Sequence, residues 1–168
     1  MILKGTIIGL TLGTAMAFGA AAVAADPPKE GTYKVVYTAA GMIKPVAVGK
    51  DRVLLVESDE HGLTVGEGIL DRMTWQCWGM GDYTKGYGHD HGYCVGTDLA
   101  GDQLVDDWIL ADHPLDQTTF KITDKFTGGT GKYVGISGGG MSTVDSGFHS
   151  PAGSYTVRIE MQGTYKLP

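Results

Sequence analysis

The main pattern in this chain is a two-residue alternation of apolar and polar side chains. It is clearest over 154–162, where Tyr155, Val157, Ile159 and Met161 alternate with polar residues. This period places successive side chains on opposite faces of a strand. Further strands are predicted at 33–38, 52–58, 72–80, 102–111 and 118–124. The run at 52–58 has four consecutive apolar residues, which is typical of a strand covered on both faces.

No stretch after residue 25 keeps a helical period for ten residues. About eight short strands separated by Gly, Pro and Asp predict an all-β fold, and we expect a single antiparallel barrel of roughly eight strands. A closed barrel pairs every strand edge, which leaves no exposed edge for aggregation.

The first 25 residues differ from the rest of the chain. Lys4 precedes an apolar stretch, and small residues follow up to Ala25. This is typical of a signal peptide, so we expect an exported protein, periplasmic or secreted, without a membrane anchor after cleavage. A short polar leader is expected at 26–30 and one barrel domain at 31–168.

The net charge limits the partners that the chain can bind, and the two cysteines indicate how they pair. The formal net charge is −6 with no basic cluster, which argues against nucleic acid or an anionic membrane as a partner. The two cysteines, Cys77 and Cys94, are expected to form a disulfide in an exported chain. A thiolate metal site is the alternative.

A glycine-rich segment spans residues 128–140, with the sequence GGTGKYVGISGGG. It predicts a glycine turn, a short strand and a second glycine turn, because glycine reaches positive φ without steric cost. The spacing fits neither a Walker loop nor a dinucleotide-binding loop. The segment resembles the GGTGKYxGIxG signature of the small β-barrels related to allene oxide cyclase and the dirigent proteins.

Two other segments share the resemblance, and all three are similar to segments of the exported bacterial relatives of these barrels. They are Cys77-Trp78-Gly79 followed by Gly92-Tyr93-Cys94, and Gly101-Asp102 at the start of a strand containing Trp108. The resemblance implies a barrel with a lumen. Plant allene oxide cyclases bind an unstable fatty-acid epoxide there and guide its cyclisation, and dirigent proteins steer radical coupling in a similar lumen. No catalytic residue of either group aligns with this chain.

Two charged residues are candidates for catalysis. Glu57 shares a face with Val53 and Leu55, and apolar surroundings raise the pKa of a carboxyl group, which suits a general acid or base. The alternative is a solvated strand end. Arg158 lies on the polar face of the last strand, where it would either bind a carbonyl or anion in a polar lumen or form a surface ion pair with Glu160.

The aromatic residues Trp75, Trp108 and Tyr155 are candidates for ligand binding. Strand faces this rich in apolar residues predict an apolar pocket in the barrel, with Glu57 or Arg158 as its polar group. The alternative is a lumen filled by the tryptophans themselves.

His89 and His91 form the densest group of metal-ligand types. We expect them in a glycine-flanked surface loop without a complete metal shell, because no third ligand is close in sequence. The alternative is a Cu²⁺ or Zn²⁺ site completed from elsewhere.

These observations support two functions. The first is a barrel that binds a small, largely apolar molecule and guides its isomerisation or cyclisation, without a cofactor. The second is a non-enzymatic envelope carrier or a metal-binding protein that uses the histidines. The sequence leaves open whether the protein is an enzyme, which ligand it binds and whether it is a homo-oligomer.

Overall fold

A computed structural model describes residues 27–168, so the predicted signal peptide lies outside the described part of the chain. Within that part, eight antiparallel strands form one closed barrel in which each strand pairs with its sequence neighbours and β1 pairs with β8. The strands are β1 (Glu30–Val48), β2 (Arg52–Glu67), β3 (Thr74–Thr84), β4 (Tyr87–Thr97), β5 (Gln103–Pro114), β6 (Thr119–Gly129), β7 (Ser137–His149) and β8 (Ser154–Lys166). The predicted all-β, eight-stranded fold is confirmed.

The alternation predicted for the strand faces is present. On β8, Tyr155, Val157 and Met161 are buried and Ile159 is partly buried, while their polar neighbours face outwards. On β3, Trp75 and Cys77 face the interior. The interior is therefore built from alternate residues of every strand, as barrel closure requires.

One end of the barrel is filled by side chains. The connection between β2 and β3 and the segment between β6 and β7 cover this end, and the fully buried Leu70, Met73, Leu104 and Tyr133 pack there. Thr64 accepts a hydrogen bond from the indole nitrogen of Trp75 at 3.2 Å. The indole is thus held just above the filled end.

Three sequence-based predictions of local structure are wrong. The apolar run of 52–58 is not covered on both faces, because Val56 is 39% exposed. The middle of the glycine-rich segment forms a short 3-10 helix (Gly131–Tyr133) rather than a strand, and its second glycine cluster lies inside β7 rather than in a turn. His89 and His91 lie on β4 rather than in a loop.

The structure of β4 explains why this strand was not predicted from the sequence. Its inward positions include Gly88, Gly92 and Gly96, which have no apolar side chain to produce an alternating pattern.

The disulfide joins Cys77 and Cys94 directly opposite each other on β3 and β4, with a Cα–Cα distance of 4.1 Å. The predicted disulfide is confirmed. No helix in residues 27–168 is long and apolar enough to cross a membrane.

Candidate functional site

The barrel encloses a cavity of about 390 Å³ between its filled end and the loop at Leu115–Thr118. Most of the lining is apolar or aromatic, but several carboxyl groups project into it. The acidic residues of the lining are Glu57, Glu60, Asp90, Asp106, Asp116 and Asp124. A mostly apolar cavity with a few placed polar groups is the usual form of a small-molecule site.

A row of four cross-strand partners forms one wall. Glu57 on β2 pairs with Gly79 on β3, Gly79 pairs with Gly92 on β4, and Gly92 pairs with Trp108 on β5. A methyl group built on Gly79 would lie 2.6 Å from both Glu57 Oε2 and Trp108 Cζ2. The two glycines therefore make room for the indole, which lies across them and reaches towards the Glu57 carboxyl group.

The Glu57 carboxyl group belongs to a hydrogen-bonded cluster with two tyrosines. The Tyr155 hydroxyl contacts Glu57 Oε1 and also Glu60 Oε2, the latter at 2.5 Å. The Tyr37 hydroxyl donates to Glu60 Oε1 at 2.7 Å. We call Tyr37, Glu57, Glu60 and Tyr155 the glutamate cluster.

The geometry of the glutamate cluster indicates a proton on one of its two carboxyl groups. A tyrosine hydroxyl has one hydrogen, so Tyr155 donates to only one of the two carboxyl groups and accepts from the other. Burial raises the pKa of Glu57 to about 8, and the nearby Glu60 charge adds to the effect. The raised pKa makes Glu57 the carboxyl group that holds this proton more readily, and it contacts Tyr155 in a mostly apolar cavity.

A second group of polar residues lies further along β3 and β4, where Asp90 pairs with Gly81. The Tyr83 hydroxyl contacts the Asp90 carboxyl group and lies 2.9 Å from His113 Nε2. Burial raises the pKa of Asp90, although the Tyr83 hydrogen bond opposes the shift. His113 Nδ1 lies 3.1 Å from the Ala111 carbonyl oxygen, which favours the tautomer protonated at Nδ1.

A third group, Asp106 with Asp124, lies nearer the filled end. Asp106 is 2% exposed and Asp124 is 4% exposed. Ser142 Oγ donates to Asp124 Oδ2, and a backbone N–H of Lys125 donates to the Asp106 carboxyl group. Burial raises the pKa of both groups, that of Asp124 to about 6, and the Asp124 charge raises the pKa of Asp106 further.

Of the residues predicted for ligand binding and catalysis, all but Arg158 line the cavity. Trp75, Trp108, Tyr155 and Glu57 all line the cavity. Arg158 does not, because it lies on the outer face of β8 and pairs with Glu160 at 2.9 Å. The cavity therefore takes its polar character from acids and tyrosines, and not from the arginine proposed from sequence.

The histidines proposed as weak metal ligands are also on the outside. His89 and His91 project from the outer face of β4, with ring centroids 6.4 Å apart, and His89 Nδ1 lies 3.3 Å from Asp112 Oδ1. Over residues 27–168 no three His, Cys, Asp or Glu side chains are grouped as a metal site requires.

Sequence reasoning missed most of the cavity acids. Asp106 shares a strand face with Leu104, Trp108 and Leu110, and this alternation is a signal that could have placed it inside. Asp124 lies between Ile122 and Phe126 in the same way.

Comparison with known proteins places the fold. Neither a known family model nor a curated protein sequence matches this chain. Among solved structures, the pterocarpan synthase dirigent protein GePTS1 is similar with a TM-score of 0.51 and 11% identity, over 83% of this chain and 93% of that one. The barrel has the dirigent fold. A second pterocarpan synthase dirigent protein, PsPTS1, is similar with a TM-score of 0.46 and 12% identity, over 82% and 96% of the two chains.

The resemblance in the glycine-rich and cysteine segments is thus confirmed at the level of the fold. At 11% identity the likeness extends to the dirigent-type barrel and not to its chemistry.

Proposed function

We propose that this protein binds a small, largely apolar molecule in its dirigent-type barrel and guides the isomerisation or cyclisation of that molecule by proton transfer from Glu57. The observation that carries the proposal is the position of the Glu57 carboxyl group, between the Tyr155 hydroxyl and the Trp108 indole in a mostly apolar cavity. An acid with a pKa near the working pH is the most effective proton donor.

The proposed reaction needs only a proton that is given and taken back. Glu57 donates its proton either to a double bond of the substrate, which forms a carbocation, or to a hydroxyl oxygen, which leaves as water and forms a carbocation. The Glu60 carboxylate and the face of Trp108 stabilise this positive charge. After the double bond shifts or the ring closes, the carbocation loses a proton to the Glu57 carboxylate. In the case of an alcohol, the released water first adds to the carbocation, and the new hydroxyl group then gives its extra proton to that carboxylate. Substrate and product then have the same formula, and the enzyme is restored.

We further propose that the protein acts outside the cytoplasm. The Cys77–Cys94 disulfide supports this, because disulfides persist in oxidising compartments. Fractionation of cells that express the full chain, with intact mass spectrometry of the product, tests the proposal. The expected product is found outside the cytoplasm and lacks about 25 residues at the N-terminus. A full-length cytoplasmic product would contradict it.

Calorimetry with a neutral probe of suitable size tests the binding half. We expect 2-naphthylmethanol to bind with one site per chain. Ile122→Trp, which adds an indole to the cavity wall, should weaken binding by about tenfold, because the enlarged side chain occupies ligand volume. Lys121→Trp is the matched control, since residue 121 faces outwards on the same strand. Equal affinities for the two variants would contradict binding in the barrel.

A model isomerisation tests the catalytic half. Linalool is a small tertiary allylic alcohol whose acid-catalysed isomerisation gives α-terpineol, and chiral chromatography resolves the products. We expect enantiomerically enriched product from the native protein and a loss of about 100-fold in Glu57→Gln, because a general acid contributes this much. Glu160→Gln, on the outer face of β8, should keep full activity. No conversion of bound linalool, or equal rates in both variants, would contradict the role of Glu57.

A further inference from the structure

Asp106 carries an acceptor atom that lacks a protein partner. Asp106 is 2% exposed, and its Oδ1 atom has no hydrogen-bond partner among the residues that the structure describes. The side chain lines the cavity. Leaving a buried carboxyl oxygen unpaired is costly, so such an atom marks a place where a ligand donor would be favourable.

The surroundings of Asp106 define this place. Asp106 pairs across β4 and β5 with Cys94, and on its other side β5 pairs Trp108 with Asp124. The two aspartates therefore lie diagonally on neighbouring strands, with Trp108 on the same strand face as Asp106. An acceptor pair next to an aromatic face suits a cation, which interacts with both.

The charges of the lining point the same way. In the described part of the chain, six acidic residues line the cavity. The imidazoles of His113 and His149 also line it, but no lysine or arginine of the described residues does. The Tyr33 hydroxyl, the other buried polar atom without a partner in the described chain, experiences the charges of Asp106 and Asp124. An anionic ligand would meet repulsion here without a basic side chain to compensate.

We propose that Asp106 and Asp124 form an ammonium-binding subsite at the inner end of the cavity, so that the ligand is an apolar amine that binds as its cation and not a carboxylic acid. The inference rests on the proposed function, since it needs a cavity that accepts a small molecule. The ammonium group donates to Asp106 Oδ1 and lies against the Trp108 face, while the apolar body extends towards Glu57 and the open end.

The protonation of the two aspartates gives a second signature. Burial raises the pKa of Asp124 to about 6 and raises that of Asp106 as well, so the pair holds protons more readily than free aspartates do. A bound cation favours the ionised carboxylate and lowers its pKa. Binding of an amine should therefore release protons to the solvent, whereas binding of a neutral alcohol should not.

Three probes with one skeleton test the proposal: 2-naphthylmethylamine, 2-naphthylmethanol and 2-naphthoate. Calorimetry at pH 7 should give the amine an affinity about tenfold above that of the alcohol, with the carboxylate weakest, since charge-assisted hydrogen bonds are about twice as strong as neutral ones. Titrations in phosphate and in Tris should differ in heat for the amine only, which reports proton release.

Variants locate the subsite. Asp106→Asn should remove the preference for the amine and leave the affinity for the alcohol within about threefold, because the amide keeps the shape but loses the charge. Asp124→Asn provides a second test if Asp106→Asn fails to fold, as judged by circular dichroism. Asp107→Asn is the control, since Asp107 bonds to Thr127 on the outer face at 3.2 Å.

The outcomes separate the two proposals. Failure of all three probes to bind overturns the proposed function itself. Binding of the alcohol with no preference for the amine, equal affinity for the carboxylate, or an amine preference that persists in both aspartate variants overturns the ammonium subsite alone.

Discussion

Glu57 and Glu60 are three residues apart on β2, yet both face the cavity and both contact the Tyr155 hydroxyl. In a regular strand such residues point to opposite faces. The pairing register with β3 shifts between Glu57 and Glu60, and Asp59 adopts a positive φ of 54° in this bulge. A β-bulge re-aims the side chains after it. The bulge therefore brings two glutamates to one hydroxyl.

The first prediction concerns the pH dependence of stability. Glu57 has a folded-state pKa of about 8 against 4.5 for the free group, so the native state holds a proton that the unfolded state has lost between these values. The stabilisation is complete below pH 4.5 and is lost as the pH rises towards 8. Urea unfolding should show a fall of up to about 1.4 kcal/mol per pH unit for each such proton.

Substitution assigns this slope to Glu57. Glu57→Gln should flatten the decline between pH 5 and 8, because glutamine does not titrate. Glu160→Gln, whose side chain is exposed on β8, should retain the native slope. An unchanged slope in Glu57→Gln would show that Glu57 is ionised throughout this range and could not act as the proton donor.

The second prediction concerns the hydroxyl that the two glutamates share. Tyr155→Phe removes it and leaves two buried carboxyl groups without their common partner, which should cost about 1–3 kcal/mol in the free energy of unfolding. Tyr87→Phe is the control, because that hydroxyl is on the surface and donates to the Asp112 carbonyl oxygen at 3.2 Å. Equal losses in the two variants at pH 7 would mean that the Tyr155 contacts are not stabilising.

The strand alternation was enough to predict the barrel and part of the site. Tyr155 and Trp75 alternate with polar residues, and their inward positions follow from that period. Glu57 shares its face with Leu55, which made it a candidate for the cavity that it lines. Local periodicity reports the face of a residue as long as the strand stays regular.

Parts of the site could not be predicted from the sequence where a strand is irregular or where glycine occupies its inward positions. If the alternation of β2 continued through Asp59, Glu60 would point outwards. It points inwards because of the bulge, and the bulge depends on pairing with β3, which the sequence of β2 does not show. On β4 the inward glycines Gly88 and Gly92 removed the apolar signal. Arg158 was ambiguous for another reason, since a polar lumen and a solvent face give the same alternating pattern.

The third prediction concerns the disulfide. Replacing Cys77 and Cys94 together by serine should lower the free energy of unfolding by about 3 kcal/mol, the value the chain-entropy model gives for a loop of this length. The barrel should still form, because the ladder between β3 and β4 pairs along its whole length. Denaturation of the variant and of the native protein, both without reductant, measures the difference. No loss of stability would show that the bond is dispensable.

The fourth prediction concerns the two outer histidines. His89 and His91 stack on the surface of β4 and should not bind Cu²⁺ or Zn²⁺ tightly, because two imidazoles do not complete a coordination shell. Equilibrium dialysis of the native protein and of His89→Ala should give the same weak binding. Tight stoichiometric binding that disappears in His89→Ala would restore the metal-binding alternative.

The last prediction concerns the glycine wall beneath Trp108. Gly79→Ala places a methyl group 2.6 Å from both Glu57 Oε2 and Trp108 Cζ2, so at least one of these side chains must move. Overpacking of this kind costs about 1–3 kcal/mol in the free energy of unfolding. Combining Gly79→Ala with Trp108→Leu should cost less than the sum of the single changes, because the smaller side chain leaves room for the methyl group. Urea unfolding of the four proteins in this cycle measures the coupling, and strict additivity would mean that Trp108 does not lie across Gly79.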